Sequence, residues 1–129
     1  MRQPLKTRLL RAARKAEKHS YSPYSHFPVG AAVLTDKGRV YAGTNVENSS
    51  FGLTVCAERV ALFTAVAAGA RQIAAVLVYT DTDTFTPPCG ACLQVLAEFG
   101  ANPEVILACR KGLKHHRLVD LLPAGFRLG

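Results

Sequence analysis

An α/β domain with helices on both sides of a sheet is the architecture this chain predicts, and three observations carry that expectation. Apolar residues recur at helical spacing near the start. Two continuous apolar runs, Ile73–Tyr79 and residues 105–109, lack the polar alternation of a strand with one wet face. Those runs alternate with Ala- and Leu-rich stretches of helical length, the pattern of a sheet held between helix layers. At 129 residues, 49% hydrophobic and 19% charged, the chain fits one soluble domain spanning 1–129.

Taken in order, the first segment places Leu5, Leu9, Ala12, Ala13 and Ala16 on one helical stripe, with Arg8, Arg11, Arg14, Lys15 and Lys18 elsewhere on the wheel. Residues 20–28, rich in Ser, Pro and aromatics, read as loop. Residues 29–34 and 40–45 flank the turn signal Thr35, Asp36, Lys37, Gly38 and read as an antiparallel hairpin. Residues 48–52 return to loop. A buried helix is expected over 56–68, closed by Gly69. The strand Ile73–Tyr79 follows, then a loop with Pro87 and Pro88, and a third helix over 90–99 stopped by Gly100. After the strand at 105–109, residues 110–116 read as a basic turn with a short edge strand. Residues 118–122 read as a helical turn ended by Pro123.

Composition narrows the function classes. No apolar run reaches the roughly 20 residues of a membrane span, and the basic start is not followed by the apolar core of a signal peptide. The net charge is +7, but seven of the sixteen basic residues lie between Arg2 and Lys18 on the first helix. A solvated helix face accounts for that, so no nucleic-acid partner is read from the charge. Four cysteines without export signals point to a reducing compartment, the cytoplasm, where thiols bind metal or stay free.

The chemistry concentrates in Cys56, Glu58, Cys89 and Cys92. A Cys-x-x-Cys step opening one helix and a lone Cys opening another can give three thiolates to one Zn²⁺. A fourth tetrahedral position then remains for water, as in catalytic rather than structural zinc sites. Helix starts favour thiolate because their unpaired N–H groups and the macrodipole stabilise negative charge. Glu58, two residues from the first presumed ligand, is placed to carry protons, although a glutamate near a helix start also serves the helix itself. Three thiolates around a divalent ion leave a net negative cluster. Arg59, one helical turn beyond Cys56, can donate to a ligand sulfur and offset it, or can be an ordinary surface arginine. A redox pair or half of a four-ligand structural site would share the Cys-x-x-Cys step. Cys109 reads as a small core residue, and His115 and His116 as solvated.

Five ordered motifs then resemble one family. They are Ser25 through Ala32, Asn45 through Asn48, Cys56 through Arg59, Pro88 through Cys92, and Leu121 through Pro123. Over nearly its whole length the chain resembles cytidine deaminases of the small, homotetrameric, three-cysteine zinc type. The resemblance implies a three-layer α/β/α fold on a five-stranded mixed sheet. It also implies hydrolytic deamination of cytidine and deoxycytidine, small nucleosides, to uridine and deoxyuridine. Carried onto this chain, Cys56, Cys89 and Cys92 match the zinc ligands and Glu58 the proton shuttle. Phe27 matches the aromatic on the pyrimidine, Asn45 and Glu47 the pair on the ribose 3′-hydroxyl, and the Ala57 backbone the partner of the base carbonyl. Phe126 matches an aromatic lent by a neighbouring subunit.

Four positions depart from the family pattern: Leu93 for Arg, Phe51 for Tyr, Pro87 for Ser and Val60 for Thr. They touch neither the thiols nor Glu58. Two other readings share the motif chemistry. One is a deaminase of a cytosine-nucleoside antibiotic such as blasticidin S, against which Glu47 speaks because it fits an intact ribose. The other is a non-catalytic zinc module, for which a fourth protein ligand would have to come from outside the motifs.

Overall fold

A computed structural model describes residues 1–128. In chain order it contains α1 (Gln3–Glu17), β1 (Gly30–Thr35), β2 (Val40–Thr44), a 3₁₀ turn (Phe51–Leu53), α2 (Ala57–Ala67), β3 (Ile73–Tyr79), α3 (Gly90–Glu98), β4 (Glu104–Cys109), β5 (Gly112–Arg117) and α4 (Leu118–Leu121). The strands form one five-stranded sheet in the order β2-β1-β3-β4-β5. It is mixed: β3 and β4 run parallel, joined through α3 as a parallel pair requires, and the other neighbours are antiparallel.

Period-two alternation divides the sheet's side chains between two cores. Ala32, Leu34, Ala75, Leu77, Ile106 and Ala108 face α1, which contributes Leu9 and Ala13. Ala31, Val33, Val76, Val78, Val105 and Leu107 face the opposite layer, where α2 brings Ala61, Leu62 and Ala65 and α3 brings Leu93 and Leu96. The expected three layers are therefore present, with β1, β3 and most of β4 buried on both faces. Among the described residues no helix is long and apolar enough to cross a membrane.

Two glycines set the distance between layers. A Cβ on Gly30 would stand 2.0 Å from the Ala13 carbonyl oxygen, so α1 lies directly on β1. One on Gly43 would stand 2.4 Å from the Ala61 nitrogen and 2.9 Å from the Ala57 oxygen. Only a residue without a Cβ lets the first turns of α2 settle so closely onto β2.

Local boundaries shift where side chains intervene. The first strand begins at Gly30 rather than at 29 because the Val29 N–H is taken by the Asn45 side chain at 3.0 Å. Cys56 acts as an N-cap with extended backbone, so α2 starts at Ala57 rather than at 56, while Cys89 caps α3, which starts at Gly90 as expected. The edge strand expected within 110–116 is present, and only the extent of the basic turn needs correction. The turn is confined to Arg110 and Lys111, and β5 is a six-residue strand paired from Cys109↔Gly112 to Glu104↔Arg117. His115 and His116 therefore lie on that edge strand. Gly112, at φ 126°, permits the tight reversal.

Topology explains what comes together at one end of the sheet. β1 begins where β2 and β3 end, as the pairs Gly30↔Thr44 and Gly30↔Tyr79 show. The connections leaving β2 and β3 lead to the starts of α2 and α3, so both helix beginnings lie beyond the same sheet edge. Crevices at carboxyl ends of strands are where open α/β sheets hold ligands.

Candidate active site

The sulfurs of Cys56, Cys89 and Cys92 all lie within 4.8 Å of one another, although 33 residues separate the first two. Cys56 Sγ is 3.8 Å from Cys89 Sγ, and Cys89 Sγ is 3.3 Å from Cys92 Sγ. Zn–S bonds of about 2.3 Å at tetrahedral angles put sulfurs roughly 3.8 Å apart, so these three residues are close enough together to hold one zinc ion. Among the described residues this is the one group of three or more His, Cys, Asp or Glu able to hold a metal. Cys109 is a buried free thiol in β4 whose sulfur accepts the Lys111 N–H at 3.4 Å, so it stays in the core as expected.

Electrostatics favour thiolate at Cys56. The hydrogen bond with Cys92 and the Arg59 guanidinium pull the Cys56 thiol down to about 5, against the burial that opposes them. Cys92 is pushed up, first by that same bond to Cys56, so it retains the proton while Cys56 is ionised. Arg59 donates from Nη2 to Cys56 Sγ at 3.5 Å, the contact expected from their one-turn spacing. Its Nε is buried with no hydrogen-bond partner.

Glu58 sits in the first turn of α2, half-buried. Loss of hydration raises its carboxyl to about 7, and the neighbouring Cys56 thiolate adds to the rise while Arg59 opposes it. A carboxyl poised there can both take and return a proton near neutral pH. Beside it is a cavity of about 280 Å³ lined by Phe27, Asn45, Glu47, Ala57, Glu58, Cys56 and Cys89 among others. Ala57 opens α2, so its N–H has no intrahelical acceptor.

Hydrogen-bond accounting defines what the Asn45 and Glu47 side chains still offer. Asn45 Oδ1 accepts from the Val29 N–H at 3.0 Å and the Ser20 hydroxyl at 2.5 Å, while Nδ2 donates to the Phe27 carbonyl at 2.9 Å. Because Val29 can only donate and Phe27 can only accept, the amide orientation is determined, and one Nδ2 hydrogen remains free. Glu47 Oε1 accepts from the N–H groups of Tyr24 at 3.0 Å and Ser25 at 3.1 Å, and Oε2 accepts from the Ser25 hydroxyl. These bonds hold the Glu47 carboxyl below the usual range, the Ser25 hydroxyl contributing most. Both residues line the cavity, and together they retain one donor and one acceptor, the complement of a single hydroxyl group.

Phe126 is not brought into this cavity. It is exposed and held by Gln94, which accepts from the Phe126 N–H at 3.2 Å and donates to its carbonyl at 2.5 Å. Of the departing positions, Leu93 is buried in the α2/α3 core, Phe51 is 73% exposed and meets Tyr24 edge-to-face, and Pro87 lines the cavity. Sequence reasoning missed Ser20, Ser25, Thr54 and Thr86. Short hydroxyls in loops give no periodic signal, and only the Ser-rich, Pro-rich character of residues 20–28 hinted at a built loop. His26 at φ 56° was also invisible beforehand.

Residues 4–109 match the family model described as "Cytidine and deoxycytidylate deaminase zinc-binding region". The chain is 43% identical over 121 residues to a cytidine deaminase of Sporosarcina psychrophila, covering 92% of this chain and 89% of that one. It is 46% identical to a cytidine deaminase of Halalkalibacterium halodurans, covering 92% and 91%. In three dimensions it is similar to the crystal structure of cytidine deaminase from Burkholderia pseudomallei, with TM-score 0.89, 45% identity, and coverage of 98% of this chain and all of that one.

Proposed function

This chain belongs to the cytidine and deoxycytidylate deaminase family, and from that premise we propose how its one domain, residues 1–129, works. It is a zinc-dependent enzyme that hydrolyses the exocyclic amine of cytidine and deoxycytidine, giving uridine or deoxyuridine and ammonia. The observation carrying this reading is the meeting of three thiols with a half-buried carboxyl, Cys56, Cys89 and Glu58 of that group lining one cavity. An antibiotic deaminase and a non-catalytic zinc module are not favoured, because the relatives over nearly the whole chain are cytidine deaminases.

Cys56, Cys89 and Cys92 hold the zinc, which when bound supplies Lewis acidity toward water. Arg59 offsets the excess negative charge of the thiolates through Cys56. Glu58 accepts a proton from the attacking water and passes protons to the ring nitrogen and the leaving amine. The C4–O bond forms and the C4–N bond breaks; one of the water's two protons stays on the ring nitrogen of the product, and the other leaves with the amine as ammonia. A carboxyl raised to about 7 supports that exchange, since neither protonation state is costly near neutrality. Phe27 forms a wall for the pyrimidine, the Ala57 N–H meets the base carbonyl, and Asn45 and Glu47 share the ribose 3′-hydroxyl, the single group their free valences fit.

Assembly as a homotetramer, in which Phe126 completes a neighbour's cavity, is supported by the exposed apolar residues Phe51, Leu53, Phe63 and Phe126. A cytoplasmic setting is supported by the four free thiols. Neither a nucleic-acid nor a membrane partner is part of this reading.

Zinc content and cytidine turnover of Glu58→Gln and Cys89→Ala test it. Glu58→Gln should keep zinc and lose about 10²–10⁴-fold in kcat, the scale of general acid–base removal. Cys89→Ala should lose zinc and melt at lower temperature. Full activity in either variant refutes the mechanism.

A further inference from the structure

Ser25 bonds both to Glu47, one of the two sugar-reading residues, and to the aromatic wall at Phe27. Its hydroxyl donates to Glu47 Oε2 and its N–H donates to Glu47 Oε1 at 3.1 Å. The same Oγ accepts the Phe27 N–H at 3.1 Å. The Phe27 carbonyl is meanwhile held by Asn45 Nδ2 at 2.9 Å. The Phe27 residue is thus suspended between the two groups that face the sugar, its N–H through Ser25 and its carbonyl by Asn45 directly. His26, between Ser25 and Phe27, has φ 56°, a left-handed conformation uncommon outside glycine. That kink lets both neighbours line the same cavity. A strained residue persists where its surroundings over-determine it, and here four hydrogen bonds that tie the flanking Ser25 and Phe27 to Glu47, Asn45 and each other do so.

We propose that Ser25 is a positioning residue that couples recognition of the sugar hydroxyl to the placement of Phe27 against the base. The proposal rests on the nucleoside-deaminase reading above and deepens it. With the hydroxyl bound between Asn45 and Glu47, the carboxylate is drawn into one geometry, and Ser25 transmits that geometry to the Phe27 backbone. Sugar contacts then serve ring alignment in the transition state as well as binding. Their loss should lower kcat in addition to raising KM.

The experiment is a variant-by-substrate cycle. The kcat and KM are measured for the wild type, Ser25→Ala, Ser25→Cys and Ser25→Thr with cytidine, 2′-deoxycytidine and 3′-deoxycytidine. Ser25→Ala should lose about 10-fold or more in kcat/KM on the two substrates that carry the 3′-hydroxyl, since a bond to a charged acceptor is removed. On 3′-deoxycytidine it should lose no more than about 2-fold. Part of the loss should be in kcat. Ser25→Thr, which keeps the hydroxyl at an exposed position, should recover most of it, and Ser25→Cys, a weak donor, should fall between. Ratios within each variant are independent of how much folded protein it yields. An equal loss on all three substrates, or no loss on any, overturns the role of Ser25 and leaves the deaminase reading standing. A wild type inert toward cytidine and 2′-deoxycytidine overturns both.

Discussion

Replacing Glu58 by Gln should stabilise the metal-stripped protein while disabling the enzyme, and the size of the gain follows from the carboxyl's surroundings. Burial raises this group from 4.5 to about 7. A raised acid binds its proton more tightly folded than unfolded, so between those pH values the unfolded chain releases a proton that the folded chain keeps. Stability therefore falls as pH rises from about 4.5 to about 7 and is level above that. At ~1.36 kcal/mol per pH decade, the accumulated cost above pH 7 is ~3 kcal/mol. Glutamine has no charge to desolvate and escapes that cost, apart from whatever its amide hydrogen bonds change. Chelation removes the metal's own charge from the comparison. Thermal melts of both chelated proteins between pH 4.5 and 8.5 should show the variant gaining as pH rises, by up to ~10 °C at pH 8 for a domain of this size. The two should coincide near pH 4.5. A variant no more stable at pH 8 than at pH 5, relative to wild type, would falsify the burial argument and with it the claim that the carboxyl is poised near neutrality.

Three further outcomes follow from other parts of the molecule. Gly43→Ala should drive a Cβ into the first turns of α2, with contacts of 2.4 and 2.9 Å, costing ~1–3 kcal/mol and reducing zinc occupancy because Cys56 moves with the helix; an unchanged melting curve and zinc content would show that the layers yield freely. Zinc competes with protons for the thiolates, so lowering pH should release it, at a pH below the value of about 5 at which Cys56 takes up its proton in the metal-free protein; Arg59→Gln, by removing a donor to that thiolate, should move release to higher pH, and a zinc indicator titration in which both proteins release metal at the same pH would remove Arg59 from the thiolate's environment. Deleting the residues after Pro123 should raise KM for cytidine more than it alters the circular dichroism spectrum, and unchanged kinetics would exclude Phe126 from any cavity.

Much of the site was legible because its chemistry is written in local spacing. Cys89 and Cys92 share a helical turn, and Arg59 lies one turn beyond Cys56; an α-helix converts such offsets into direction without help from the rest of the fold. The runs at Ile73–Tyr79 and 105–109 declared themselves as doubly covered strands by lacking alternation. Less was readable where partners lie far apart in sequence. Residues 110–116 read as a basic turn with a short edge strand because charge dominates their composition; pairing with β4 extends that strand over Gly112–Arg117 and leaves only Arg110 and Lys111 to the turn. Ser25 and Glu47 are 22 residues apart, and Ser20 and Asn45 are 25 apart; no periodicity links a loop hydroxyl to a distant carboxylate or amide.

From the order of its residues alone, this protein's set of thiols, the glutamate proposed to carry protons and the alternation of helices and strands were determined, since thiols, carboxyls and apolar periodicity act at short range. The tertiary structure decided that the two helix beginnings meet, so that sulfurs 33 residues apart stand 3.8 Å from each other. It also decided that a left-handed His26 turns Ser25 and Phe27 into one cavity. Both depend on where the ends of β2 and β3 lie beside the start of β1. That arrangement comes from hydrogen bonding across the sheet and from burial on its two faces, which local sequence spacing does not encode.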